Sequence, residues 1–137
     1  TFLLTLGTIS EFTRHKLEPK VINGSFHILA DLFLSAVTLG EIQFGIEHLP
    51  DSQRKNQLLL WVNSDLMARF GDRILPMENL TLLTWGSLKA RLEKSGQPMP
   101  VMNSLIAATA LQHNLILVTR NVADFHACGP SILNPWE

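Results

Sequence analysis

Short apolar runs alternate with stretches of helical spacing along these 137 residues. Phe2-Leu3-Leu4-Thr5-Leu6, closed by Gly7, predicts a buried strand ending in a turn. After Pro19, the positions Val21, Ile22, Phe26, Ile28 and Leu29 fall at near-helical spacing, and Asp31 to Val37 (DLFLSAV) predicts a second strand. Thr38-Leu39-Gly40-Glu41 has the Thr-x-x-Glu form of a capping box. Ile42, Gly45, Ile46 and Leu49 continue it as one helix face, which Pro50 ends. A further helix starts at Asp51 or Ser52 and carries Leu58, Leu59, Trp61, Val62, Leu66, Met67 and Phe70 up to Gly71. Arg73 to Pro76 is a short strand, and Glu78 to Ser95 a helix stopped by Gly96. The next helix runs from Val101 to His113 with Asn114 as a left-handed cap. Leu115 to Val118 is a fully apolar strand, and Ser131 to Asn134 forms the last one.

Strands alternating with helices predict a single α/β domain over residues 1–137, a three-layer sandwich around a mostly parallel central sheet. The hydrophobic share of 46% suits a packed core of this length rather than a disordered tail. Cys128 is the single cysteine, which excludes an internally disulfide-stapled fold and makes the cytoplasm the default compartment. No apolar run approaches the roughly 18 residues of a membrane span, and no basic region precedes Phe2 as in a signal peptide. Eleven Lys and Arg against twelve Asp and Glu give a net charge of −1, so contact with RNA would have to come from a local patch.

Ligands of parallel sheets bind beyond the carboxyl ends of the strands. The positions expected there are Thr5, Leu6 and Gly7, then Thr38 and Glu41, then Asn103 at a helix start, and finally Thr119, Arg120, Asn121 and Asp124. Only Glu41 and Asp124 among them are acids.

Five segments in this order carry a resemblance: FLLTLGTISE, LFLSAVTLGEIQFGIEHLP, RILP, SLIAATALQHNLILVTRNVADF and the terminal LNPW. Together they resemble PIN domains, specifically the toxin half of bacterial toxin–antitoxin pairs of the virulence-associated and fast-intracellular-trafficking type. The resemblance spans Phe2 to Trp136. It implies a Mg²⁺- or Mn²⁺-dependent endoribonuclease, a homodimer, and a cognate antitoxin that silences it. Such chemistry gathers about four carboxylates around one or two divalent ions, because hard cations need anionic oxygen ligands before they can activate water.

The match breaks at those acids. Where the family has Asp-Thr-Asn after its first strand, this chain reads Thr5-Leu6-Gly7. Glu41 stands at the second acidic position, Asn103 at the third, and the fourth falls at Asn121 or at Asp124. The resemblance therefore leaves Glu41 and Asp124 as metal ligands, with Thr5 and Asn103 as altered members of the catalytic set. A unit charge about 4 Å away is worth roughly 4 kcal/mol at an effective dielectric near 20, and about twice that toward a divalent ion, before desolvation offsets it. Two such terms are missing. Asn103 keeps the shape and one acceptor of Asp without its charge, and Thr5 reaches at best a metal-bound water. Weakened metal binding and weak or lost cleavage follow as the expectation. Departures at three consecutive positions, Thr5, Leu6 and Gly7, fit a naturally degenerate member better than a single inactivating change.

Structural roles stand beside each of these readings. Glu41 also serves as the acid of the Thr38 capping box, Asn103 as an ordinary first-turn residue, and Asp124 as the cap of a short helical turn. Ser10 supports either the site or a helix start, Arg120 a phosphate or only solvent, and Arg14-His15-Lys16 reads as an exposed face. His126-Ala127-Cys128 lacks the third group of a nucleophilic site. Trp61, Trp85 and Trp136 read as packing residues, and the apolar excess of residues 52–70 suits a dimer or antitoxin surface. Two functions remain: a toxin-type ribonuclease homologue with impaired chemistry, or a non-catalytic module that dimerises and binds an antitoxin or RNA. A nucleotide-binding domain of another α/β family is disfavoured by the absence of a Gly-rich phosphate loop.

Overall fold

The computed structural model describes residues 1–9 and 32–134. The expected helical spacing of Val21 to Leu29, together with Ser10, Glu11, the Arg14-His15-Lys16 cluster, Asp31 and Trp136, lies outside the described residues. Five strands form one sheet: β1 (Phe2–Leu4), β2 (Leu32–Ser35), β3 (Ile74–Leu75), β4 (Ile116–Val118) and β5 (Ile132–Leu133). Their order is β3-β2-β1-β4-β5, and each pairing is parallel. β1 is central, with Leu4 in register with Leu34 on one side and Val118 on the other.

Strand side chains alternate between faces, so each strand feeds two cores. Leu3 and Leu117 point into one cluster with Leu88, Leu92, Ile106 and Phe125. Leu4, Leu34 and Val118 point into the other with Ile42, Ile46, Leu66 and Phe70. The helices that supply these partners are α1 (Leu6–Ile9), α2 (Ala36–Glu47), α3 (Gln53–Leu60), α4 (Met67–Phe70), α5 (Asn79–Lys94), α6 (Val101–His113) and α7 (Val122–Phe125). The result is the expected three-layer α/β/α sandwich. Trp61 packs against the second cluster and Trp85 against the first, as their apolar settings predicted. Among the described residues, no helix is long and apolar enough to cross a membrane.

Several boundaries differ from the sequence expectation. β1 stops at Leu4, and Leu6-Gly7-Thr8-Ile9 is a helical turn rather than the end of a strand. β2 ends at Ser35, and α2 begins at Ala36 with no intervening loop. Ser35 is the cap: its hydroxyl accepts the Val37 N–H at 3.1 Å. Thr38 therefore lies inside the helix, and the Thr38–Glu41 capping box is not formed. Ser52, rather than Asp51, caps α3 by accepting the Lys55 N–H. That helix widens into a π-helix over Trp61–Leu66 before returning to α geometry in α4. Side chains follow the widened turn, with Asn63 donating to Leu59 O at 2.9 Å and Ser64 to Leu60 O at 2.5 Å. Helix α6 has the predicted bounds, and Asn114 takes the left-handed conformation (φ 55°, ψ 49°) that ends it.

Candidate functional site

Three of the four candidate residues follow a strand-to-helix switch. Thr5 succeeds β1, Glu41 sits in the second turn of α2 after β2, and Asp124 lies in α7 after β4. Helix α6 leads into the parallel strand β4 and so must run against it, which brings its first turn, with Asn103, to the same edge. The topology thus collects all four positions at the carboxyl edge of the sheet, where α/β folds bind ligands.

Their local chemistry differs sharply. Thr5 is buried, and its hydroxyl donates to Val118 O at 2.8 Å while its N–H donates to the same oxygen at 3.2 Å. The Thr5 proton is therefore committed to the backbone of β4. Thr8 adds a longer bond to that carbonyl, at 3.3 Å. Asn103 is half-buried and Asp124 exposed. Asp124 does not cap α7; it lies within the turn, with its own N–H donating to Asn121 O.

Glu41 is the half-buried acid of the set. Its Oε1 atom is buried and has no hydrogen-bond partner among the described residues, and the same holds for the Thr38 hydroxyl one turn earlier. Burial pushes the Glu41 carboxyl above the ordinary carboxylate range. It lines an otherwise apolar groove of about 200 Å³ between α1, α2 and the end of α3. Leu6 and Ile9 form one wall, Ile42, Ile46 and Leu49 the floor, and Leu58 and Trp61 the far side.

An orphaned carboxylate oxygen invites a cation, but the donor set around it is thin. Among the described residues, no three His, Cys, Asp or Glu side chains group closely enough to hold a metal ion. Asn103 brings a neutral amide and Thr5 a neutral hydroxyl, so neither supplies the negative charge of a carboxylate. Hard divalent ions bind through several anionic oxygens at once. The described residues do not fit the Mg²⁺ or Mn²⁺ centre implied by the resemblance. Sequence reasoning passed over Thr8 and assigned Thr38 to a cap. The Thr5/Thr8 spacing of three residues was the available signal, since it places two hydroxyls on one face of a helical turn.

A family model described as PIN domain matches residues 9–127. The chain belongs to the PIN domain family. It is 30% identical over 136 residues to the toxin FitB of Neisseria gonorrhoeae, covering 98% of both chains. It is also 30% identical over 110 residues to the VapC ribonuclease Y4jK of Sinorhizobium fredii, covering 80% of this chain and 79% of that one. The crystal structure of FitAcB from Neisseria gonorrhoeae superposes with a TM-score of 0.92 at 30% identity, covering 100% of this chain and 99% of that one. The PIN fold, with its parallel sheet and covering helices, is thus common to this chain and to toxins of toxin–antitoxin systems.

Proposed function

We propose that this PIN domain is the toxin-type half of a toxin–antitoxin pair and binds its antitoxin, while its metal-dependent endoribonuclease chemistry is weak or lost. The carrying observation is the state of the carboxyl edge: Glu41 is the half-buried carboxyl there, and positions 5 and 103 hold a hydroxyl and an amide. Relatives named as VapC ribonucleases support the reaction class of the ancestor, and Glu41 and Asp124 are the acids left at the positions where the family resemblance expects metal ligands. The groove beside Glu41 is apolar enough to seat a helix of the antitoxin, with Leu6 and Leu49 at its rim. The protein acts in the cytoplasm as a homodimer, and RNA is held there without efficient cutting.

The test is expression in a bacterial host, followed by an RNA cleavage assay with Mn²⁺ and Mg²⁺ on the purified chain. No growth arrest and no cleavage are expected. The Thr5→Asp/Asn103→Asp variant is expected to gain Mn²⁺ binding by calorimetry. Cleavage by the unaltered chain that disappears in Glu41→Gln would overturn the proposal. Binding to its cognate antitoxin is expected to survive Asn103→Asp and to weaken with Leu49→Asp in the groove.

A further inference from the structure

The sheet order reverses between β1 and β4, because the chain leaves β1 toward β2 on one side and returns to β4 on the other. That reversal opens the crevice where a parallel sheet ordinarily receives its ligand. In this chain, hydroxyls cross it. Val118 O accepts from Thr5 N at 3.2 Å, from Thr5 Oγ1 at 2.8 Å and from Thr8 Oγ1 at 3.3 Å. The two threonines are 8% and 0% exposed, so water does not compete for these bonds.

An ionised carboxylate at position 5 would have no proton to offer this carbonyl. Two acceptors would face each other in a buried setting, a contact relieved only by a proton or a cation between them. Threonine reverses the polarity by placing a donor there. We propose that the Thr5 and Thr8 hydroxyls take the place of a metal ion in this crevice, joining the carboxyl ends of β1 and β4 so that the folded domain is indifferent to divalent cations. The inference rests on the reading of Thr5 as the occupant of the first acidic position. It goes beyond loss of activity, because it gives the substituted residue a positive role in stability.

Thermal unfolding of the full chain, in excess Mn²⁺ and in EDTA, tests it. The unaltered chain is expected to unfold at the same midpoint in both. A metal held at a hundred times its dissociation constant would instead raise the midpoint by on the order of 10 °C. Thr5→Val keeps the shape and removes the donor, so its midpoint is expected to fall by several degrees, equally with and without metal. Thr5→Asp is expected to fall further in EDTA and to recover part of the loss in Mn²⁺. A Mn²⁺-dependent rise in the unaltered chain, abolished by Glu41→Gln, would overturn the inference, as would an unchanged midpoint in Thr5→Val. RNA cleavage by a chain whose midpoint ignores Mn²⁺ would overturn the proposed function and leave this lock standing. A Mn²⁺-dependent midpoint without cleavage would do the reverse.

Discussion

The indole nitrogen of Trp85 donates to Ser104 Oγ at 2.9 Å, joining the middle of α5 to the first turn of α6. Ser104 in turn donates to Val101 O at 2.7 Å, so one hydroxyl fixes both the helix pair and the turn that presents Asn103. Ser104 is fully buried, and its removal strands the indole N–H. Ser104→Ala is therefore expected to cost about 1–3 kcal/mol, the range for orphaning a buried donor. Chemical denaturation of the variant checks this. Trp85→Phe, which removes the donor together with part of the ring, should lose stability as well, and the double variant should lose less than the sum.

Ser35 occupies the joint between β2 and α2, and it serves both elements. It closes the ladder with Leu75 as its register partner and caps the helix through Val37 N–H. Ser35→Ala is expected to cost about 1–2 kcal/mol, the upper part of the range for caps, because the site is fully buried. Urea titration measures the loss. Amide exchange in the first turn of α2 should accelerate more than exchange in α6.

The Glu41 carboxyl carries a pH signature. Burial raises its folded pKa above the unfolded value, so the native state holds this proton more tightly than the unfolded chain does. Its contribution to stability is present in acid and is lost as the pH rises from the ordinary carboxylate range through the raised folded pKa. Glu41→Gln should therefore be more stable than the unaltered chain at neutral pH, with the advantage disappearing as the pH falls. Unfolding midpoints of both proteins across that pH range decide the matter. An advantage constant with pH would assign the effect to packing.

Cys128 is fully buried, and its thiol donates to Phe125 O at 2.7 Å. Burial pushes its pKa up to about 11, against the opposing pull of its backbone hydrogen bond and the nearby Arg91 charge. The thiolate is the reactive form, so alkylation near neutral pH is expected only through opening of the fold. Iodoacetamide labelling followed by mass spectrometry should show negligible modification of the native chain and rapid modification in denaturant. This also separates Cys128 from any nucleophilic role with His126, whose ring bonds to Ala123 O at 2.8 Å.

The parts of the fold that sequence revealed best are those bounded by residues with backbone consequences. Pro100 and Asn114 enclose α6, because one cannot continue a helix backward and the other adopts the left-handed cap. The β2–α2 joint was illegible for the opposite reason. Ala36 and Val37 are apolar in either state, and Ser35 ends a strand as readily as it caps a helix. The π-helical segment was hidden too, since apolar spacing over Leu58 to Phe70 looks alike for one long α-helix and for a helix with one widened turn. In the candidate site, the shared edge of Thr5, Glu41, Asn103 and Asp124 followed from strand–helix alternation. The use of the Thr5 hydroxyl did not, because its acceptor lies 113 positions away in the chain and is a backbone oxygen, which every residue has.

That same separation shapes how the domain is made. β1 leaves the ribosome before the other four strands of the sheet, yet one of its edges finds its partner only when Ile116–Val118 emerges. At about 5–20 residues per second, the interval runs from several seconds to some tens of seconds. Throughout it, Phe2, Leu3 and Leu4 present one unpaired strand edge, the kind that recruits a neighbouring nascent chain. The central strand thus makes completion of the sheet wait for its last two strands, and holdase chaperones are expected to raise its soluble yield more than they would for a helical bundle of equal length.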